Sequence, residues 1–320
     1  MNNTQREEQI MRVLAVSLRQ IFKKLSPDYD RLEEIRLRIG SPLTVTYGGL
    51  PLFVSKEGQF CGRKDACPVE AGQLRETMDY LSSYSRYAFE SQIRQGYLTV
   101  AGGHRVGLGG HVVMEDGRVK TISPVTFLNI RIAREVPGCG QEVVPWLWDR
   151  GRLCDTLVVS APGLGKTTLL RDIIRILSDG DGERGCTVGV VDERSELAAC
   201  IQGVPQNDLG SRTDVLDGCS KAEGMLMLVR SMSPRVIAVD EVGGEEDCRA
   251  MEYVMNCGCC LIGTAHGIDL SELKGRPVFG RWMREERFER YVLIERGQEG
   301  ISYRVCGRDG RTLWRGKRPS

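Results

Sequence analysis

The stretch VVSAPGLGKTTLLRDIIRIL, residues 158–177, limits the possible folds of this chain more than any other. Ser160-Ala161-Pro162-Gly163-Leu164-Gly165-Lys166-Thr167 fits the spacing G-x-x-x-x-G-K-[ST] at every fixed position but the first, where Ser stands for Gly. A serine fits there if its φ is negative. Thr156 to Val159 read as a buried strand, and Leu169, Leu170, Ile173, Ile174 and Leu177 fall on one face of a helix. The loop therefore lies between strand and helix, as the motif requires. In such a loop the backbone N–H groups point inward and the helix N-terminus adds partial positive charge; Lys166 reaches the β and γ phosphates, and the Thr167 hydroxyl takes a Mg2+ position. Pro162, Gly163, Leu164, Gly165, Lys166, Thr167 and Thr168 are the expected contacts for a nucleoside triphosphate, ATP with Mg2+.

Other strand ends supply the remaining chemistry. Arg235 to Glu241, RVIAVDE, is an apolar strand closed by two carboxylates. Asp240 would hold Mg2+ through water, and Glu241 would orient or deprotonate the attacking water. VVDERSE, residues 190–196, ends a strand with Asp192, Glu193 and Arg194. It reads either as a second carboxylate cluster at the same crevice, with Glu193 as alternative base, or as a helix start capped by Asp192. In GTAHG, His266 closes a further strand, where a ring nitrogen could sense a γ-phosphate or simply face solvent.

After Leu153 the strands TLVVS, TVGVV, VIAV, CLIGT and YVLIE alternate with helical or mixed segments, the pattern of a parallel α/β sheet whose carboxyl ends share one crevice. Earlier residues read differently. Residues 5–25 have helical spacing, EIRLRIGSPLTVTYGGLPLFV alternates like short strands, and a long helical pattern covers about Val69 to Gln95. GYLTVAGGHRVGLGGHVV, GRVKTI and FLNIRIAR then suggest a Gly-punctuated antiparallel sheet. The expected organisation is an α+β domain over 1–134, a Pro- and Gly-rich linker over 135–152, and an α/β core over 153–320. GISYRVCGRDGRTLW reads as a terminal hairpin.

Lys plus Arg total 44 against 43 for Asp plus Glu, so no overall basic field points to nucleic acid or anionic lipid. The N-terminal MNNTQREEQIMRVL is charged where a signal peptide would be apolar, and no apolar run approaches the roughly 20 residues that span a bilayer. A cytosolic protein is expected. Most of its 12 cysteines are read as reduced core thiols; Cys257 and Cys260 have C-x-x-C spacing without a second pair at a metal-binding distance.

The order of phosphate loop, aspartate box, Asp-Glu before an acidic helix, and strand ending in TAH resembles the secretion ATPases of type II, type IV and pilus systems. EIRLRIGSPL, GGHRVGLGGH, NIRIARE, VVDERSE and GTAHG resemble the stage III sporulation protein AA family within that superfamily, over nearly the whole chain. The superfamily's G-x-R-V and IR elements fall on Gly103 to Val106 and on Ile130 to Arg131. The resemblance implies a RecA-like P-loop core and arginines, Arg105 and Arg131, that reach the nucleotide. It also implies a hexameric ring and a motor on the mother-cell side of the channel to the forespore, joined to the membrane only through integral channel proteins. Asp240 fits a metal-holding strand end better than the Gly many secretion relatives carry there.

Two other classes stay open on the residues alone. One is a RecA-like nucleic-acid translocase, kept in view by RWMREERFERY, residues 281–291, although its interleaved Arg and Glu read more simply as a solvated helix with i,i+4 pairs. The other is a nucleotide-dependent scaffold with negligible turnover.

Overall fold

The protein, described by a computed structural model over residues 3–82, 89–133, 135–180, 185–297 and 300–319, divides into two compact units, Met1–Arg134 and Glu135–Ser320. The first unit contains α1 (Asn3–Val13), α2 (Val16–Leu25), β1 (Leu32–Arg38), β2 (Thr44–Tyr47), β3 (Leu50–Val54), β4 (Phe60–Cys61), α3 (Ala71–Leu81), α4 (Glu90–Arg94), β5 (Tyr97–Val100), β6 (His104–Glu115) and β7 (Arg118–Arg131). Its strands pair antiparallel in the order β4-β3-β2-β1-β7-β6-β5. Alternation sends Ile35, Leu37, Val106, Leu128 and Ile130 into one core with Ile10, Leu14, Leu18, Phe22, Leu74 and Met78 of the helices. The intervening residues Arg36, Arg38, Arg105, Asn129 and Arg131 therefore take the opposite face.

Two helical expectations need correction. Residues 5–25 form two helices, because the chain breaks at the fully buried Leu14 and Ala15, where the Ala15 N–H donates to Thr77 Oγ1 at 3.1 Å. The pattern over Val69 to Gln95 is realised as α3 and α4; residues 83–88 between them lie outside the described residues.

The second unit contains the ribbon β8 (Trp148–Asp149) and β9 (Arg152–Leu153), then β10 (Thr156–Ser160), α5 (Lys166–Asp179), β11 (Val188–Asp192), β12 (Thr213–Asp217), α6 (Lys221–Ser231), β13 (Val236–Val239), α7 (Glu245–Asn256), β14 (Cys260–His266), α8 (Leu270–Gly275), α9 (Pro277–Arg284), β15 (Arg290–Gly297), β16 (Gly300–Gly307) and β17 (Thr312–Lys317). The main sheet runs β12-β11-β13-β14-β10-β15-β16-β17. The strands from β12 to β15 are parallel, and the β16–β17 hairpin adds to β15 antiparallel. Both faces of the parallel part are covered, which explains its continuous apolar runs. Val158, Val190, Ala238 and Ile262 pack against Leu169, Leu170, Ile173 and Ile174 of α5. Leu157, Val191, Ile237 and Leu261 pack against Met225, Leu228, Met251 and Trp282 from α6, α7 and α9.

The segment 135–152, expected as a linker, is no free tether. Cys139, Val143, Val144 and Leu147 are buried in the core of the second unit, and Asp172 accepts the N–H groups of Gly138 and Gly140 at 3.0 and 2.7 Å. Residues 281–291 do not make one solvated helix either. α9 stops at Arg284 because Phe288 and Tyr291 are drawn into the core behind Trp282, with ring centroids 5.4 and 6.1 Å apart along Trp282–Phe288–Tyr291. Glu289 is consequently 8% exposed and pairs with Arg152 and Arg308, far away in sequence. Seven cysteines are buried, and among the described residues no cluster of three or more Cys, His, Asp or Glu could hold a metal ion.

Candidate functional site

The site forms where β10, β11, β13 and β14 end. β10 hands the chain through residues 161–165 to α5, and Gly163 and Gly165 take φ of +77° and +97°, a region costly for any residue with a Cβ. Ser160 has no positive φ; it is fully buried and its hydroxyl donates to the Ala161 carbonyl at 2.8 Å, so serine serves at the motif's first position. Lys166 and Thr167 open α5, whose apolar stripe fixes the helix against the sheet.

Register sets the rest. Ser160 is opposite His266 across β10 and β14, and β13 ends one residue before Asp240. Thr167 Oγ1 donates to Asp240 Oδ2 at 2.6 Å, and the Thr264 hydroxyl donates to Asp240 Oδ1. Lys166 Nζ lies 2.9 Å from His266 Nδ1, and His266 Nε2 lies 2.9 Å from Glu241 Oε1. Arg194 Nη1 donates to the other Glu241 oxygen. Lys166, Thr167, Asp240, Glu241 and His266 thus form one connected set.

Glu241 has φ of +54°, an uncommon conformation for a residue with a side chain. Its N–H donates to Thr264 Oγ1 at 2.9 Å and to Asp240 Oδ1 at 3.1 Å, which offsets that strain. Lys166 is only 6% exposed; burial pulls its ammonium below the usual lysine range, with Asp240, Glu241 and Glu196 opposing the shift. The adjoining oxygens of Thr167 and Asp240 are the donor type a small hard cation takes.

Asp192 caps no helix, because a turn follows β11. Its carboxylate accepts the N–H groups of Glu196 and Ala198, each at 2.8 Å, and burial raises its pKa. Glu193 pairs with Lys221 at the start of α6 and lines, with Arg194, Asp240 and Glu241, a small cavity beside the site. Arg171, on α5, donates to the carbonyls of Glu196 and Leu197 at 2.6 and 2.8 Å, tying that turn to the phosphate-loop helix.

Arg105 and Arg131 belong to the first unit, where they stand directly opposite each other on β6 and β7. Arg105 stacks 3.9 Å above the Tyr97 ring, and Arg131, 64% exposed, lies 3.4 Å from Glu34. Thr264, Lys221 and Arg171 were missed in the sequence. Thr264 carries a signal in hindsight, as a polar residue inside the otherwise apolar LIGTA.

An α+β unit followed by a P-loop sheet with carboxylates at its strand ends is the fold of the secretion ATPases. The Legionella pneumophila ATPase DotB matches with a TM-score of 0.61 and 14% identity, covering 92% of this chain and 82% of that one. The pilus retraction motor PilT with bound ADP matches at 0.60 and 14%, covering 91% and 82%. Sequence similarity reaches further than this shared fold. The family described as "Sporulation stage III, protein AA" matches residues 4–311. Stage III sporulation protein AA of Bacillus subtilis (strain 168) is 38% identical over 310 residues, 96% of this chain and 97% of that protein. The chain belongs to the sporulation stage III protein AA family.

Proposed function

We propose that this chain is an ATPase that turns hydrolysis into subunit motion at the channel between mother cell and forespore. The observation that carries the reading is the 2.6 Å contact between the phosphate-loop hydroxyl of Thr167 and the strand-end carboxylate of Asp240, beside Lys166. The loop N–H groups and the Lys166 ammonium bind the phosphates. Thr167 and Asp240 would hold Mg2+, which when bound neutralises phosphate charge. Glu241 accepts the proton of the attacking water: two donors occupy its carboxylate, which has about four lone-pair positions, so it is held in place yet can still accept. His266, between Lys166 and Glu241, senses the terminal phosphate.

Arg105 and Arg131 are proposed to act on the nucleotide as in the secretion ATPases the sequence resembles, coupling the first unit to hydrolysis. The working form is a homohexameric ring, cytoplasmic on the mother-cell side, reaching the membrane through integral channel proteins and not acting on nucleic acid. Family membership and the shared fold support this reading, and among the described residues no helix is long and apolar enough to cross a membrane. Glu193 is engaged by Lys221, whereas Glu241 is linked to Lys166 through His266, which favours Glu241 as the base. Glu241→Gln should bind ATP normally while turnover falls on the order of 10²-fold or more. Loss of turnover in Glu193→Gln with full turnover in Glu241→Gln would reverse the two roles.

A further inference from the structure

A side chain from the far end of the sequence lies against the phosphate loop. A Cβ placed on Gly165 would stand 3.1 Å from Nη1 of Arg318, 3.9 Å from its Cζ and 3.9 Å from Cβ of Thr168. The guanidinium thus lies at the loop's last glycine, which the first turn of α5 also approaches. A second route leads to the same place. Burial pushes the Cys139 thiol and the Tyr303 hydroxyl up, the nearby Arg318 charge opposes that shift at both, and Cys139 Sγ donates to the Thr168 carbonyl at 3.8 Å.

The position is built in. β17 pairs with β16 up to Lys317, and the Arg318 N–H extends that ladder to the Ile301 carbonyl at 2.9 Å. The terminal hairpin thus carries a half-buried cation to the anion cradle. No carboxylate pairs with this guanidinium among the described residues, although the chain is rich in Arg–Glu pairs.

We infer that Arg318 is a nucleotide-binding residue that contacts the α-phosphate end of the bound nucleotide. This rests on the phosphate-loop reading above. The transferring end of the site is marked by Asp240, Glu241 and His266 gathered around Lys166 and Thr167. Arg318 lies instead at Gly165, on the side that the first turn of α5 also approaches, toward the α-phosphate and the nucleoside. A guanidinium offers several donors in a planar fork suited to phosphate oxygens, and its contact with Gly165 also means that no side chain fits at that position without moving it.

The test is titration of fluorescent ATP and ADP analogues into the full chain with Mg2+, alongside thermal midpoints without nucleotide. Arg318→Ala should weaken ATP and ADP by the same factor, on the order of 10-fold for a partly exposed charge-assisted contact. Arg318→Lys should recover part of that loss, and the nucleotide-free midpoint should stay put. Unchanged affinities would overturn the inference, as would a loss confined to ATP, which would place the arginine at the γ end. An equal loss in the Ala and Lys variants together with a lower midpoint would make the tail merely structural, also overturning it. Lys166→Ala is the control for the underlying site. Normal affinity in that variant would remove the phosphate-loop reading and this inference with it, whereas loss there with Arg318→Ala unaffected would remove this inference alone.

Discussion

At the scale of single residues, the site depends on a few side chains held by neighbours distant in sequence. Thr264 shows this most plainly: its one hydroxyl accepts from the strained Glu241 backbone and donates to Asp240. Thr264→Val keeps the volume and removes both bonds, leaving Glu241 N–H with only Asp240 as partner. Turnover at saturating ATP should fall about 10-fold or more, since a lost hydrogen bond of about 1.5 kcal/mol at the reacting groups carries into rate. Steady-state kinetics checks this, and an unchanged rate would assign the strained conformation no role. His104 in the first unit supplies a pH test. It is fully buried, its Nδ1 accepts the Ala133 N–H at 3.0 Å, and burial, reinforced by Arg6, pulls its pKa from 6.5 to about 4. A base depressed in the folded state stays neutral there while the unfolded chain takes up the proton. Its contribution is therefore whole above pH 6.5 and is lost as pH falls from 6.5 toward 4, at most about 3 kcal/mol. Denaturant midpoints of wild type and His104→Gln should converge over that interval; parallel curves would contradict the assignment.

At the scale of elements, what could be read in advance was whatever local spacing determines. The phosphate loop, its strand and helix, the apolar strand ending in Asp240-Glu241 and the strand ending in His266 follow from periodicity and turn residues over short windows. β12 was missed because Thr213–Asp217, TDVLD, is a half-exposed edge strand with two aspartates and no apolar run. The Asp192 turn, the Glu289 cluster and the burial of residues 139–147 depend on partners that only the folded chain brings near. Arg318 is the extreme case, a tail residue beside a loop some 150 positions earlier in the sequence. The paired strands β6 and β7 carry the prediction proper to this scale. Among the described residues Arg131 makes one ion pair, 3.4 Å from Glu34, and its own side chain is 64% exposed, so it is available to a phosphate. Arg131→Ala should preserve folding and nucleotide affinity while lowering turnover, by roughly 10³-fold in the best cases for such an arginine. Arg131→Lys should recover little, because a point charge lacks the fork. Full turnover in Arg131→Ala and Arg105→Ala would return both to ordinary strand arginines.

At the scale of the whole molecule, one chain of a sporulation protein family carries both a phosphate-loop unit and an arginine-bearing α+β unit. The proposed motor needs neighbours, so light scattering should show a ring-sized assembly stabilised by ATP and Mg2+, and a persistent monomer under those conditions would count against the hexamer. The central claim, however, is hydrolysis at the phosphate loop. Phosphate release by the purified full chain, wild type beside Lys166→Ala at saturating ATP and Mg2+, tests it most directly. Steady release is expected of wild type and none above background of the variant, whose fold persists because the lost ammonium meets His266 in the site and belongs to neither apolar core. Equal release by the two proteins, or no release by assembled wild type, would contradict it.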